Sequence, residues 1–362
     1  MLRLLVFATC WSLLAAQESG LTFPEAEWKK VKPEAKQYSS ARLEVLRAWL
    51  KTQNTSAMQV SVRGRVIFEY GDLSLVSKIF SARKSVLAML YGKYYAQGKI
   101  DLDKTVEQLG LDDVQPFLPV EKSATLRQLL TARSGIYLPT ANKGLTDLSP
   151  RRGSMPPGTY FQYQNWDFNA AGTAFEKLTG KDIFAALEED LAQPIGMQDF
   201  QRSQQRRNSE LPISKHPEYA IYLSTRDMAR LGLLMLADGT WKDRQVMPAG
   251  WAGRITKLVT PPRDLHPLDV GALETQIGRW GYGMLWWVWD APSWPNVVTG
   301  PYQGAYSAIG AFGQYITVLP AGDLVIAHKV DTDDRGARSL NSSQYHTILQ
   351  LVIESYCGDG CK

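Results

Sequence analysis

The strongest constraint on the fold is a pair of hairpin patterns placed far apart along the chain. Met58 to Val62 and Val66 to Tyr70 flank Arg63-Gly64, and the β-branched segments 314–319 and 324–329 flank a second short turn. Runs of β-branched residues joined by a short glycine-containing or proline-containing segment are typical of antiparallel hairpins. The two patterns therefore predict one sheet assembled from both ends of the chain.

Helical patterns accompany both hairpins and fill the segment between them. Apolar residues recur with helical spacing over 40–50 and again from about 343 to 356. The intervening chain is mostly helical pattern interrupted by glycine-containing loops. We predict an α/β protein of the α+β type, with an antiparallel sheet flanked by N- and C-terminal helices. The sheet lobe takes about 40–80 and 248–356, and an inserted, mostly helical lobe takes about 84–247.

Composition excludes several classes of function. The 362 residues are 44% hydrophobic, enough for a large core and an enclosed cleft. The 40 Lys and Arg residues are scattered and nearly balanced by 36 Asp and Glu, so nothing points to a nucleic-acid partner. The four histidines and three cysteines form no paired spacing of a metal site. We expect neither a metal nor another cofactor, and the sequence does not indicate an oligomeric state.

The first residues have the pattern of an export signal. Met1-Leu2-Arg3 precedes an apolar run over 4–14, which Ala15-Ala16 closes. A run of about 11 apolar residues is too short to span a bilayer, which needs roughly 20. We expect a signal peptide over 1–16 and a mature domain over 17–362 that is secreted or periplasmic and not stably inserted in a membrane.

Cleavage there would leave two cysteines near the C-terminus. Cys357 and Cys361 are separated by Gly-Asp-Gly. They could close a small local disulfide in an oxidising compartment, or remain two free thiols.

A serine and a lysine three residues apart form the first candidate catalytic element. Ser81-Ala-Arg-Lys84 opens a helical pattern, so the two side chains fall on neighbouring turns of one helix face. A serine hydroxyl becomes a useful nucleophile when a base takes its proton, and a buried lysine can be that base in its neutral form. The alternative is a helix-capping serine beside a solvated lysine.

Tyr163 and Asn165 form the second element, in a turn that leads into a new helical pattern. A tyrosine can relay a proton between a nucleophile and a leaving group, and an asparagine amide can donate to a substrate carbonyl. A core tyrosine followed by a helix-capping asparagine would give the same pattern.

A third, glycine-rich segment covers 304–314, just before the second hairpin. Glycine within a strand usually marks the close approach of another backbone or of a ligand. Such a strand could donate a backbone N–H to an oxyanion, or it could simply be tightly packed.

Together these elements resemble the serine β-lactamase and penicillin-binding-protein superfamily, in the branch of class C β-lactamases, esterases and 6-aminohexanoate-dimer hydrolases. The order SxxK, YxN and glycine-rich strand is similar, as is Leu126-Arg-Gln-Leu-Leu-Thr-Ala-Arg-Ser-Gly135. The resemblance covers roughly residues 40–355 and implies a β-lactamase-like fold.

The resemblance also implies roles for individual residues. Ser81 would be the acylated nucleophile, Lys84 its activating partner and Tyr163 the base. Asn165 would contact substrate, and the backbone N–H groups of Ser81 and Ala308 would form the oxyanion hole. Tyr306 and Ser307 would line the site.

The third motif departs from the family pattern. The aligned residues are Ala305-Tyr306-Ser307, where β-lactamases and peptidases have KTG and many esterases have HxG. The missing cation argues against efficient turnover of penicillins or D-Ala-D-Ala peptides and leaves Lys84, aided by Arg83, as the cation nearest Tyr163. The resemblance thus implies a serine hydrolase acting on a small ester or amide through an acyl-enzyme at Ser81. The alternatives are a D-amino-acid peptidase or weak β-lactamase, and a non-catalytic homologue that binds a cell-wall fragment.

Two further segments bear on specificity. Alternation over 280–287 predicts that Trp280, Tyr282, Met284 and Trp286 share one strand face, and that Leu285 and Trp287 share the other. These aromatic residues, with Trp294 and Tyr302, could wall an apolar cleft or fill the core. The loop 137–155, which carries Lys143, Arg151 and Arg152, could rim its entrance or be an ordinary solvated loop.

Overall fold

The main sheet contains strands from both ends of the chain, as the hairpin patterns predict. The computed structural model describes residues 20–142, 149–266, 280–289, 300–333 and 335–361. Seven antiparallel strands lie in the order β2-β1-β13-β12-β11-β10-β9. This arrangement confirms the predicted α+β fold. The segment 1–16, Lys143 and Trp294 lie outside the described residues.

The strands of this sheet are β1 (Ala57–Val62), β2 (Arg65–Gly71), β9 (Trp280–Tyr282), β10 (Trp287–Trp289), β11 (Tyr306–Gly310), β12 (Gln314–Leu319) and β13 (Leu324–Lys329). Three two-stranded pairs join β3 (Ser77–Lys78) to β6 (Tyr222–Leu223), β4 (Arg206–Asn208) to β5 (Glu218–Ala220), and β7 (Thr240–Trp241) to β8 (Arg244–Gln245).

The α-helices are α1 (Ser40–Leu50), α2 (Ala82–Ala96), α3 (Leu126–Leu130), α4 (Asn165–Thr179), α5 (Ile183–Ala186), α6 (Thr225–Leu236), α7 (Trp251–Ile255) and α8 (Ser342–Glu354). A π-helical segment, Leu187–Ala192, continues α5. Short 3₁₀ turns occupy Pro33–Lys36, Glu121–Ser123, Arg202–Gln204, Pro262–Asp264, Pro320–Gly322 and Gly358–Cys361.

The two hairpins meet at the centre of the sheet. β1 pairs with β13 along its whole length, from Ala57 opposite Lys329 to Val62 opposite Leu324. All six side chains of β1 and all six of β13 are buried. The central pair is therefore covered on both faces, which explains its nearly continuous apolar sequence.

Helices cover each face of the sheet. On one face, the ring of Tyr315 in β12 stacks on Tyr345 of α8 at 3.5 Å. On the other face α6 lies against β12 and β13, where a Cβ added at Gly232 would lie 2.5 Å from Val325. Glycine at position 232 thus permits the close approach of this helix, which lies within the range predicted for the helical lobe.

The aromatic segment 280–289 is a hairpin, so the predicted alternation along one strand is wrong. β9 ends at Tyr282 and β10 begins at Trp287, with Leu285 in the left-handed region (φ 61°) of the turn between them. Trp287 lies directly opposite Tyr282, and their rings are 5.1 Å apart. The reversal places together two side chains that simple alternation would assign to opposite faces.

The segment just before α1 lies beside the segment that follows α8. The backbone N–H of Ser39 donates to the carbonyl of Ser355 at 2.8 Å, and that of Cys357 donates to the carbonyl of Gln37 at 2.9 Å. Cys357 and Cys361 form a disulfide, which is the first of the two alternatives left open by the sequence. No helix in the described part of the chain has the length and apolar character needed to cross a bilayer.

Candidate active site

Ser81 lies at the N-terminus of α2 and directs its hydroxyl toward Lys84. It precedes the first helical residue, Ala82, but its side chain makes no capping hydrogen bond to the helix backbone. Its Oγ instead accepts a hydrogen bond from Lys84 Nζ at 3.0 Å. The interpretation of Ser81 as a simple helix cap is therefore wrong.

Lys84 is buried at the centre of the site. Its side chain is about 1% exposed, and its Nζ also donates to the Tyr163 hydroxyl at 2.8 Å. The nitrogen lies 4.3 Å from the ring centroids of both Tyr163 and Phe168. Burial lowers the pKa of Lys84 well below its ordinary value, Arg83 lowers it further, and Glu218 acts in the opposite direction. A solvated first-turn lysine is excluded.

Tyr163 arrives from the segment before α4 and is fixed by packing. Its backbone N–H donates to the carbonyl of His266 at 2.9 Å. Its ring packs against Phe168, Trp287 and Tyr282, with centroids 5.0, 5.6 and 6.0 Å away. Three aromatic neighbours thus hold the ring while its hydroxyl meets the amine of Lys84.

Asn165 begins α4 and is half-buried. Its amide Nδ2 lies 3.5 Å from the carbonyl oxygen of Asn142, at the limit of a hydrogen bond. The amide of Asn169, one helical turn later, donates to Asn142 Oδ1 at 2.8 Å. Asn142 therefore joins α4 to the loop that precedes the undescribed residues 143–148.

Two residues of β11 that the resemblance places in the site point elsewhere. Ser307 Oγ shares a hydrogen bond of 2.8 Å with Thr317 Oγ1, which in turn bonds the hydroxyl of Tyr345 in α8. Its side chain therefore faces α8 on the opposite side of the sheet from α6. Tyr306 is buried, with its ring 5.5 Å from that of Trp286. Neither side chain lines a cleft around Ser81.

The backbone N–H of Ala308 is also in the wrong place for an oxyanion hole. Trp289 donates to the carbonyl of Ala305, and in an antiparallel ladder alternate residues bond to opposite neighbours. Ser307 therefore bonds toward β10, and Ala308, paired with Ile316, bonds toward β12. Its N–H is used within the sheet.

The end of β11, two residues further on, is the part that reaches the nucleophile. A Cβ added at Gly310 would overlap the carbonyl oxygen of Ile79 and lie 3.2 Å from the nitrogen of Ala82. The ring of Phe312 packs edge-on against that of Phe80 at 5.0 Å. Ala311 lies between these two contacts, is exposed, and its N–H has no acceptor among the described residues. It is a better candidate than Ala308 for the second oxyanion donor.

A buried polar cluster behind Lys84 has no counterpart in the sequence motifs. Glu218 in β5 lies 3.5 Å from Arg83 Nε, and Asn169 accepts from Arg83 Nη2 at 3.0 Å. Only Arg83 carries a local signal, because it lies inside the SxxK motif. In the described part of the chain, no three His, Cys, Asp or Glu side chains are grouped as metal ligands would be.

Comparisons with known proteins agree with this architecture. A proposed 6-aminohexanoate-dimer hydrolase from Bacillus anthracis superposes with a TM-score of 0.62 at 20% identity, covering 91% of this chain and 86% of its own. A proposed β-lactamase from Bacteroides dorei gives 0.63 at 19% identity, with coverages of 88% and 99%. EstCE1, a hydrolase with promiscuous acyltransferase activity, gives 0.62 at 15%, with coverages of 90% and 100%. At these identities the superpositions show a shared fold.

The family comparison covers most of the chain. The family model described as Beta-lactamase matches residues 56–341, which include Ser81, Lys84, Tyr163 and the whole of the main sheet. Because the match extends over well more than half of the chain, the protein belongs to the Beta-lactamase family and has that family's hydrolase fold.

Proposed function

We propose that the protein is a serine hydrolase that cleaves a small ester or amide through an acyl-enzyme on Ser81. The observation that carries the proposal is the position of Lys84 Nζ, 3.0 Å from Ser81 Oγ and 2.8 Å from Tyr163 Oη, in a buried site. A buried amine that contacts two hydroxyl groups can pass protons between them.

In the proposed acylation step, Ser81 Oγ forms a bond to the substrate carbonyl carbon and transfers its proton to neutral Lys84. The backbone N–H groups of Ser81 and Ala311 donate to the oxyanion that develops. Lys84 returns the proton through the Tyr163 hydroxyl to the leaving alkoxide or amine as the bond to that group breaks. Water then attacks the acyl-enzyme, gives its proton to the same pair, and releases the acid and free Ser81.

The substrate class follows from charge at the third motif. The segment Ala305-Tyr-Ser-Ala-Ile-Gly310 has no Lys, Arg or His, so it offers no cation to a substrate carboxylate. Uncharged acyl groups are therefore favoured over penicillins and C-terminal peptides. Two structural neighbours are named as a hydrolase with promiscuous acyltransferase activity and a proposed 6-aminohexanoate-dimer hydrolase, which supports a hydrolase that transfers an acyl group.

Covalent labelling tests the nucleophile directly. A fluorophosphonate should label the wild-type protein and not Ser81→Ala, and p-nitrophenyl butyrate hydrolysis should be lost in the same variant. Ser85→Ala is the matched control, because this serine lies one turn further along α2 and bonds the carbonyl of Leu285. Labelling that persists in Ser81→Ala, or no labelling of wild type, would contradict the proposal and favour a non-catalytic, ligand-binding homologue.

A D-amino-acid peptidase or weak β-lactamase is the competing enzyme assignment. Assays of nitrocefin and p-nitrophenyl butyrate with the same preparation distinguish this assignment from the proposed ester or amide hydrolase. We expect a much higher kcat/KM for the ester. A higher kcat/KM for nitrocefin would overturn the substrate assignment while leaving Ser81 as the nucleophile.

Export is a separate proposal that depends on residues 1–16. Expression of the full chain in a secreting host should give a product whose N-terminal residue follows Ala16. Retention of Met1 in the mature product would contradict it.

A further inference from the structure

The site contains a second buried cation that lies within the SxxK motif. Arg83 is the residue before Lys84 on α2, and its side chain is about 1% exposed. Its guanidinium carbon lies 4.2 Å from the centroid of the Tyr219 ring. An arginine so completely buried is rare without full pairing, which calls for a functional or structural reason.

Glu218 is the acidic partner that holds Arg83. Its side chain is buried, with Oε1 3.5 Å from Arg83 Nε and Oε2 3.6 Å from Lys78 Nζ. Asn208 Nδ2 also donates to Oε2 at 2.6 Å. Burial acts to raise the pKa of Glu218, but Arg83, Asn208 and Lys78 together lower it, so the group is ionised at neutral pH.

The two charges that act on Lys84 oppose each other. Arg83, the next residue on the helix, is positive and lowers the pKa of Lys84, and its partner Glu218, 3.5 Å from Arg83 Nε, is negative and raises that pKa by less. A second positive charge beside Arg83 would be repelled within a desolvated site, which favours the neutral form of Lys84. Among the described residues, the tyrosines around Lys84 are uncharged at neutral pH, and burial raises the pKa values of Tyr219, Tyr282 and Asp167, so these groups add little negative charge.

We propose that Arg83, held by Glu218, is a positioning residue that supplies the second positive charge missing from the third motif and keeps Lys84 neutral. This inference depends on the proposed hydrolase function for its catalytic meaning. The cation lies on the nucleophile's own helix, behind Lys84, and not on β11. With the cation in this position, β11 stays uncharged where it faces the substrate, and Lys84 can still act as the base for Ser81.

Opposite changes in pH dependence test this proposal. If neutral Lys84 is required, kcat/KM rises with pH through the pKa of Lys84. Arg83→Gln removes a positive charge and should move this acidic limb up by about one pH unit or more. Glu218→Gln removes a negative charge and should move the limb down. Arg83→Lys, which keeps the charge, should restore a limb close to that of wild type.

Arg230→Gln is the matched control. Arg230 is as deeply buried as Arg83 but bonds the carbonyls of Ile195 and Glu25, away from Lys84. Arg230→Gln should lower the stability of the protein without shifting the acidic limb of the kcat/KM profile. If Arg83 had a purely structural role, Arg83→Gln and Arg230→Gln would both lose stability without a change in the pH profile of kcat/KM. The proposal would be overturned if the pH profiles of Arg83→Gln and Glu218→Gln coincided with each other or shifted in the same direction. If Arg83→Gln does not fold, the downward shift in Glu218→Gln decides alone.

A measurement without turnover separates this inference from the proposed function. In a Ser81→Ala background, NMR of ¹³Cε-labelled lysines reports the titration of Lys84 directly, assigned through Lys84→Arg. Arg83→Gln should raise the midpoint and Glu218→Gln should lower it. Failure of fluorophosphonate labelling would refute the hydrolase, whereas an unchanged Lys84 midpoint would refute the role of Arg83.

Discussion

Two buried lysines occupy similar depths in this protein but have different kinds of partner. Lys84 and Lys329 are each about 1% exposed. Lys84 contacts two hydroxyl groups from two segments, Ser81 and Tyr163. Lys329, at the end of β13, donates to the backbone carbonyls of Leu75 at 3.4 Å and Ser77 at 3.2 Å, and also to that of Leu223.

The difference shows that burial alone does not identify a catalytic lysine. A hydroxyl can give up or receive a proton, so the partners of Lys84 permit proton transfer. A carbonyl oxygen can only accept a hydrogen bond, so the partners of Lys329 favour a fixed donor. Lys329 thereby fastens the segment that leads to Ser81 onto the centre of the sheet.

The largest expected effect is on Lys84. Lys84→Met should lower kcat/KM for p-nitrophenyl butyrate by at least about 10³-fold, because Ser81 loses the group that takes its proton. Lys329→Met should keep the activity of the folded protein within about tenfold of wild type, since it loses no proton-transfer group. Each kcat/KM should be calculated from the concentration of active sites. Comparable losses of kcat/KM in the two variants would contradict the distinction between the two lysines.

Tyr163→Phe should have the next largest effect. The ring contacts with Phe168 and Trp287 are kept, and the hydroxyl that relays the proton is lost. We expect kcat/KM to fall by about 10²-fold with little change in thermal stability. Tyr282→Phe is the control, because this buried tyrosine neighbours Tyr163 in the same aromatic cluster. Equal losses in the two variants would indicate a packing effect.

The two lysine variants should affect stability in the reverse order, with the larger loss in Lys329→Met. Lys329→Met removes the side-chain donor shared by the carbonyls of Leu75, Ser77 and Leu223 and should lower the free energy of unfolding by about 2 kcal/mol. Lys84→Met should cost less, because it removes a buried amine and leaves two hydroxyl groups that can bond each other or water. Urea titration of both variants measures the order, and a greater loss in Lys84→Met would contradict it.

The pH dependence of stability gives a further test of Lys329. Burial lowers the pKa of Lys329 to about 7, compared with about 10.4 in an unfolded chain. Between these values the unfolded state binds more protons, so this lysine makes stability rise with pH. The difference in unfolding free energy between wild type and Lys329→Met should therefore widen from pH 7 to pH 9. A constant difference across that range would show that Lys329 does not titrate there.

Local patterns predicted most of the sheet and the three central site residues. The helix 40–50 and the hairpin strands 314–319 and 324–329 match the structure because each pattern is contiguous and strongly periodic. Ser81 and Lys84 fall one helical turn apart, a spacing that sequence alone defines. The contact between Lys84 and Tyr163 is not local, and only the resemblance to a family indicated it.

The predictions for β11 were wrong because strand pairing decides where each backbone N–H and side chain points. Whether Ala308 or Ala311 directs its N–H outward depends on which neighbour β11 bonds at each position, and no residue in the segment records that choice. The same holds for Ser307, whose side chain could face either side. Glu218 was missed because 134 intervening residues separate it from Arg83, and an isolated glutamate in a polar segment looks solvated.

The pairing of β1 with β13 governs when this protein can fold during synthesis. Ala57 meets its partner Lys329 only after about 270 further residues have been made. At ordinary translation rates of about 5–20 residues per second, the first hairpin waits on the order of tens of seconds with an unpaired edge. The sheet of the nascent chain therefore stays incomplete, and its exposed edge needs shielding, until β13 has left the ribosome.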